Sequence, residues 1–191
     1  MKKKLAVFFP GVGYNCDKPL LYYTKKLAKE HGFQILDISY GEFPKVDIKK
    51  NLELIFSQAL EAAKRQLEKV DFSEYETVLL VSKSVGTAVA ATYQKDMIKG
   101  KETSIYNVYM TPVTASLKML TGEGIIFSGT GDDWVQEGEV ERWCDEHNYP
   151  LHSIEDANHS METGDTIRDL GILKNCMSIF SSYLETITKK G

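Results

Sequence analysis

The chain has 191 residues and a formal net charge of −4, with 42% apolar and 26% charged residues. This length and composition are typical of a globular protein with a substantial core, and we predict one domain spanning residues 1–191. The charge balance shows no basic surplus, which argues against a nucleic-acid partner.

The sequence also argues against a membrane or metal partner. No apolar run approaches the roughly 20 residues of a membrane-spanning helix. The apolar run that begins at Leu5 stops at Pro10, too early for a signal peptide. Three widely spaced cysteines, Cys16, Cys144 and Cys176, favour reduced thiols and make a zinc cluster improbable. We therefore expect a cytoplasmic protein.

Apolar runs and helical periodicity alternate along the chain. The predicted strands are residues 5–9, 33–40, 77–81, 104–110, 124–128 and 151–154. The predicted helices are residues 19–31, a long helix from 51, then 85–99, 134–147 and 167–188. A polar segment with helical character follows Pro112.

This alternation predicts the α/β fold class: a mostly parallel sheet of about six strands with helices on both faces. Sites in such folds lie beyond the carboxyl ends of the strands. The informative segments are therefore those that follow strands, residues 10–14, 82–86, 130–135 and 155–160.

The pentapeptide SKSVG, residues 82–86, lies between a predicted buried strand and an alanine-rich helix. A nucleophile elbow requires such a sharp turn, with small residues two positions before and after the nucleophile. Ser82 takes the place of the first glycine in the usual G-x-S-x-G pattern, and Gly86 supplies the second. The pattern indicates that Ser84 is a nucleophile. The alternative is that Ser84 only caps the helix.

A serine hydroxyl becomes a good nucleophile when a histidine accepts its proton and a carboxylate holds that histidine's tautomer. Asp132 lies in the glycine-rich segment GTGDDW directly after a strand, and we predict that it is this carboxylate. The alternative is an Asx-type turn in which Asp132 or Asp133 caps the next helix. Capping or solvent exposure is the preferred interpretation of Asp133.

Of the four histidines, only His159 lies in a loop just past a strand end, and we predict that it is the base. His31 and His147 fall near predicted helix ends, and His152 falls inside a short strand. The alternative for His159 is an ordinary surface-loop histidine.

Acyl transfer builds negative charge on a carbonyl oxygen, which fixed N–H groups stabilise by about 3–4 kcal/mol per donor. The N–H of Val85, at the start of a helix, is one predicted donor. The loop after the first strand supplies the other, from Val12 or, alternatively, Gly13. Phosphate binding is the rival interpretation of this loop, but GVGYNC lacks a complete G-x-G-x-x-G and a Walker lysine.

The loops PGVG, SKSVG, GTGDDW and NHSME and the terminal helix, in the chain order Ser-Asp-His, resemble the α/β-hydrolase superfamily. Small lidless members, the dienelactone-hydrolase-like serine esterases, are the most similar in layout. The resemblance covers nearly the whole chain. It implies the α/β-hydrolase fold, with Ser84 as nucleophile, His159 as base and then acid, and Asp132 as orienting carboxylate. It also implies Val12 and Val85 as oxyanion donors.

These residues predict hydrolysis of a small carboxylic ester through an acyl-enzyme, without a metal or organic cofactor. Only about a dozen residues separate the fourth and fifth strands, which leaves no room for a large lid. The site is therefore expected to be open, and a small-molecule acyl compound is the expected partner. The candidates to line the substrate pocket are Tyr14, Trp134 and Met161, together with Met110 and Met119.

Three alternatives share parts of this pattern. A thioesterase or acyltransferase would use the same triad. A non-catalytic binding protein on a hydrolase fold would normally have lost part of it. A flavodoxin-like nucleotide or flavin binder would share the alternation of strands and helices, but would give no reason for His159 or Asp132. The sequence makes no prediction of the oligomeric state.

Overall fold

The computed structural model describes residues 3–97 and 103–189. The strands are β1 Lys3–Phe9, β2 Gln34–Asp37, β3 Tyr75–Lys83, β4 Ser104–Met110, β5 Glu123–Gly129 and β6 Leu151–Ile154. The helices are α1 Pro19–Glu30, α2 Leu52–Leu67, α3 Val85–Met97, α4 Thr114–Leu117, α5 Glu139–His147 and α6 Thr166–Lys189. Short 3₁₀ turns precede α2 and β3.

The six strands form one sheet in the order β2-β1-β3-β4-β5-β6, and every neighbouring pair is parallel. Parallel neighbours need crossover connections, and helices supply most of them. The predicted α/β architecture of about six strands is confirmed. Because all strands run the same way, their carboxyl ends lie along one edge of the sheet.

Each face of the sheet has its own core, because successive strand side chains point to opposite faces. In β1, Ala6 and Phe8 pack with α1 and α6, whereas Leu5, Val7 and Phe9 pack with α2 and α3. Helices α4 and α5 extend the second face over β4 and β5. The helices thus cover both faces, as predicted.

Two predicted boundaries are wrong for physical reasons. Strand β2 ends at Asp37 rather than at residue 40, because the backbone of Ser39 pairs with the side-chain amide of Gln66 instead of with β1. Helix α5 begins at Glu139 rather than at residue 134, after Gly138 in the left-handed conformation. Residues 98 and 99, predicted as the end of α3, lie outside the described part of the chain.

The connection between β4 and β5 contains only the single-turn helix α4. The predicted absence of a large lid is confirmed. Within residues 3–97 and 103–189, no helix has the length and apolar character needed to cross a membrane.

Candidate active site

Ser84 occupies the turn between β3 and α3 with a φ of 55°, the left-handed conformation that a non-glycine residue rarely adopts. Its N–H donates to the Met110 carbonyl at 3.0 Å, and its own carbonyl accepts from the Thr87 N–H and hydroxyl at 2.9 and 2.6 Å. A strained backbone held from both sides is how a nucleophile elbow presents its side chain. Ser84 is half-buried, so part of the residue remains accessible to solvent.

Small residues around the turn are required by close backbone approach. A Cβ at Gly86 would collide with the carbonyl oxygens of Phe9 and Pro10. Ser82 is fully buried, and its hydroxyl donates to the Val108 carbonyl at 3.3 Å. A serine in place of glycine is therefore accommodated, because its one polar atom has a partner.

The three predicted triad residues form one continuous chain of hydrogen bonds. His159 Nε2 lies 2.8 Å from Ser84 Oγ, and His159 Nδ1 lies 2.7 Å from Asp132 Oδ2. The Asp132 side chain is fully shielded from solvent, whereas that of His159 is 18% exposed. This geometry lets the imidazole accept the serine proton while the carboxylate holds its other nitrogen.

Asp132 also forms the turn that was its alternative role. Its Oδ1 accepts from the N–H of Trp134 at 2.9 Å while Oδ2 contacts His159. The Asx turn and the contact with His159 therefore occur together, and the turn fixes the direction of the carboxylate. Asp133 is exposed, as expected, and pairs with Lys49 at 2.9 Å.

The loop after β1 packs directly against Ser84. The Gly11 N–H donates to the Tyr14 carbonyl at 3.1 Å, closing a tight turn in which Gly13 has a φ of 70°. A Cβ at Gly11 would lie only 3.1 Å from Ser84 Cβ. The N–H groups of Val12 and Gly13 therefore lie in a turn beside Ser84, and Val85 opens α3, where N–H groups lack intrahelical acceptors.

Lys83 is a site residue to which the sequence analysis assigned no role. It is 1% exposed, and its ammonium donates to the His159 carbonyl at 2.7 Å and to Thr111 Oγ1 at 2.8 Å. Its Nζ also lies 4.7 Å from the centre of the Tyr14 ring. One side chain thus ties together the nucleophile strand, the histidine loop and the loop after β1. The available signal was a lysine placed between two small residues at the end of a buried strand.

Burial decides the electrostatics of these groups. It lowers the pKa of Lys83 to about 7, although the charges of Asp132 and Glu162 oppose the shift. It also lowers the pKa of His159, assisted by the charge of Lys83 and opposed by the hydrogen bond to Asp132. A histidine with a lowered pKa is neutral, and able to accept a proton, over a wider pH range.

The predicted pocket residues lie at different places. The Trp134 ring stacks on the imidazole of His159, with 5.3 Å between the ring centroids and 29° between the ring planes. Tyr14 and Met161 line a cavity of about 370 Å³ between α1, α6 and the histidine loop. Met119 lines a second cavity beside Val85, and Met110 is buried in the core.

Among the described residues, the cysteines and acidic side chains form no metal centre. Cys16, Cys144 and Cys176 are free and buried. In the part of the chain that the structure describes, no group of three or more His, Cys, Asp or Glu side chains is arranged to hold a metal ion.

Neither a protein-family model nor a curated protein matches the chain. Solved structures do. An α/β serine hydrolase homologue from Coxiella burnetii matches with a TM-score of 0.66 and 14% identity, over 96% of this chain and 86% of that one. An esterase from Pyrococcus furiosus matches with a TM-score of 0.62 and 16% identity, over 97% and 83%.

A lidless α/β serine hydrolase from Xanthomonas campestris matches with a TM-score of 0.55 and 15% identity, over 93% of this chain and 82% of that one. At these identities the likeness is one of fold. It agrees with the strand order, the helices on both faces and the short β4–β5 connection described above.

Proposed function

We propose that this protein, which has a lidless α/β-hydrolase fold, is a serine hydrolase that cleaves a small carboxylic ester through an acyl-enzyme. The observation that carries the proposal is the unbroken hydrogen-bond chain from Ser84 through His159 to Asp132, with distances of 2.8 and 2.7 Å. Its members come from three loops at the same edge of the sheet. The strained φ of Ser84 supports the same conclusion, because strain of this kind collects at functional sites.

In the first half of the reaction, Ser84 Oγ forms a bond to the ester carbonyl carbon, and its proton passes to His159 Nε2. The carbonyl oxygen becomes an oxyanion, stabilised by the N–H of Val85 and by that of Val12 or Gly13. The bond to the alcohol oxygen then breaks, and the imidazolium gives the alcohol its proton.

The second half repeats these steps with water. His159 Nε2 accepts a proton from the water molecule whose oxygen attacks the acyl carbon. The bond between the acyl carbon and Ser84 Oγ breaks, and Oγ regains its proton. The products are the carboxylic acid and the free enzyme. Asp132 stabilises the imidazolium in both halves.

Intact-mass measurement after treatment with a fluorophosphonate probe tests the proposal on the wild type beside Ser84→Ala. We expect one adduct on the wild type and none on the variant, followed by turnover in a screen of acyl esters and thioesters. No adduct on a well-folded wild type would refute it and favour a binding protein on a hydrolase fold.

The proposed cellular location is the cytoplasm. Support comes from the three cysteines, which are all free and buried as in a protein kept in a reducing compartment.

A further inference from the structure

An apolar cavity of about 460 Å³ opens beside the nucleophile elbow, where α2, α3 and the β4–β5 connection meet. Its apolar lining residues are Leu52, Phe56, Val85, Ala88, Val113, Ala115 and Met119. Val85 is both part of this wall and the residue after the nucleophile. The cavity therefore adjoins the residue whose N–H is the proposed oxyanion donor, and its volume falls within the range of small-molecule sites.

The direction of the reaction decides which part of a substrate enters this cavity. The alcohol must take its proton from His159 Nε2, so the leaving group lies on the side of His159. With the carbonyl oxygen directed at the Val85 N–H, the acyl substituent extends away from His159. No residue of the histidine loop lines the apolar cavity.

The other cavity near the site has the opposite placement. Residues 160–162 and Gly164, which directly follow His159, form part of its wall, together with Tyr14 and Leu170. It therefore lies on the side from which the leaving group departs. The two cavities lie on opposite faces of the sheet, so the acyl group and the leaving group of an ester would extend in different directions.

We infer that the cavity beside Val85 is the acyl-binding pocket, and that the substrate's acyl group is an apolar chain of short to medium length. This inference rests on the proposed serine-hydrolase function. Most of the wall consists of aliphatic, aromatic or thioether groups, with the buried Ser116 as a polar member. Such a wall binds an acyl chain by removing its methylenes from water. The charged side chains at the pocket, Glu53 and Lys118, are exposed residues, so they mark a mouth where the apolar wall ends.

A matched pair of substitutions on α2 tests the pocket. Leu52 is half-buried and lines the cavity, whereas Leu54 is 50% exposed and does not. Leu52→Trp narrows the pocket, Leu54→Trp adds the same side chain outside it, and Phe56→Ala widens it. Leu170→Trp, in the other cavity, tests whether the acyl chain binds there instead.

The measurement is kcat/KM for p-nitrophenyl acetate, butanoate, hexanoate and octanoate, a series in which only the acyl chain changes. For the wild type we expect a rise of up to about four-fold per buried methylene, equivalent to about 0.8 kcal/mol. Leu52→Trp should lower the ratio of hexanoate to acetate about ten-fold, and Phe56→Ala should move the optimum to longer chains. Leu54→Trp should leave the ratio unchanged.

The assignment would be overturned if Leu52→Trp and Phe56→Ala left the hexanoate-to-acetate ratio of kcat/KM unchanged. It would also be overturned if Leu170→Trp changed this ratio instead. Fluorophosphonate labelling of every variant separates this failure from that of the proposed function. Variants that label normally but keep the wild-type chain preference refute the pocket alone. A folded wild type that neither labels nor hydrolyses any ester refutes the proposed function itself.

Discussion

The two carboxylate oxygens of Asp132 have separate partners, and Asp133 beside it makes neither of these hydrogen bonds. Oδ2 of Asp132 contacts His159, and Oδ1 holds the turn through the Trp134 N–H. The Asp133 side chain is 76% exposed and pairs only with the half-exposed Lys49. Surface pairs of this kind contribute little, so adjacent aspartates should differ greatly in importance.

Asp132→Asn should reduce kcat by about 10⁴-fold, because an amide favours the wrong histidine tautomer. Asp133→Asn should remain within about two-fold of the wild type, since only an exposed ion pair changes. Ester hydrolysis under saturating substrate, with circular dichroism as a folding control, checks both. Reversed effects would show that the acid has been assigned to the wrong residue.

We expect Lys83 to act through His159 rather than on the substrate. Its ammonium holds the His159 carbonyl and Thr111, and its charge lowers the pKa of His159. Thr111 is itself strained, with a φ of 45°. The charged and titratable groups around Lys83 are Asp132 and Glu162, which oppose its loss of charge, and His159 and Tyr14. We therefore expect Lys83 to position His159 and to adjust its pKa.

For the wild type, kcat/KM should fall on acidification with a midpoint below pH 6.5, the ordinary histidine pKa, because burial favours the neutral imidazole. This fall is the acidic limb of the pH–rate profile. Lys83→Met removes a positive charge that lowers this pKa, so the limb should move to higher pH. We also expect kcat to fall about ten-fold or more as the histidine loop shifts. A pH–rate profile measures both changes.

Lys25→Met is the matched control for Lys83→Met. The Lys25 side chain is 13% exposed and pairs with Asp37 and Asp17, away from the triad. Its loss should lower stability without moving the acidic limb. If Lys83→Met melts at a lower temperature but keeps the wild-type limb, Lys83 has only a structural role.

At the scale of elements, the elbow depends on how closely α3 approaches the end of β1. Gly86 is the contact point, since a Cβ there would meet the backbone of Phe9 and Pro10. Backbone cannot move aside as a flexible side chain can. In contrast, Gly171 in α6 is exposed, and a Cβ there would meet nothing within 4 Å.

Gly86→Ala should therefore destabilise the protein by about 3 kcal/mol and disturb the nucleophile turn. Gly171→Ala should stabilise it by about 0.5–1 kcal/mol, because alanine is the better helix former. Denaturant unfolding of both variants gives these free energies. Equal and small effects would mean that α3 does not pack on β1 as described.

The start of α5 is an example of a boundary that the local sequence predicts wrongly. Residues 134–138 have helical periodicity, but Asp132 bonds the Trp134 N–H and Gly138 takes a left-handed φ of 67°. The segment is held instead as the acid loop, with Lys49 from the region before α2 donating to Asp133. The turn at Asp132 and the left-handed Gly138 decide this conformation, and the apolar pattern of the segment shows neither of them.

For the whole molecule, a fully parallel sheet places the ends of β1, β3, β4, β5 and β6 along one edge. Residues that are 27 and 75 positions apart in the chain thereby meet within one hydrogen-bond chain. The short β4–β5 connection leaves this edge without a covering domain. The hydrogen-bonded chain of Ser84, His159 and Asp132 therefore lies at an edge that this connection does not cover, which suits the small acyl substrate proposed.

The sequence by itself determined the fold class and the residues brought to the site. Buried strands appear as apolar runs, the elbow needs small residues at fixed offsets, and parallel strands must end at one edge. These rules are local or topological, so Ser84, Asp132 and His159 could be predicted. Only the tertiary structure decided the bonds of Lys83 and the cavity between α2, α3 and α4. Both arise from side chains distant in the chain, whose packing no periodicity or motif encodes.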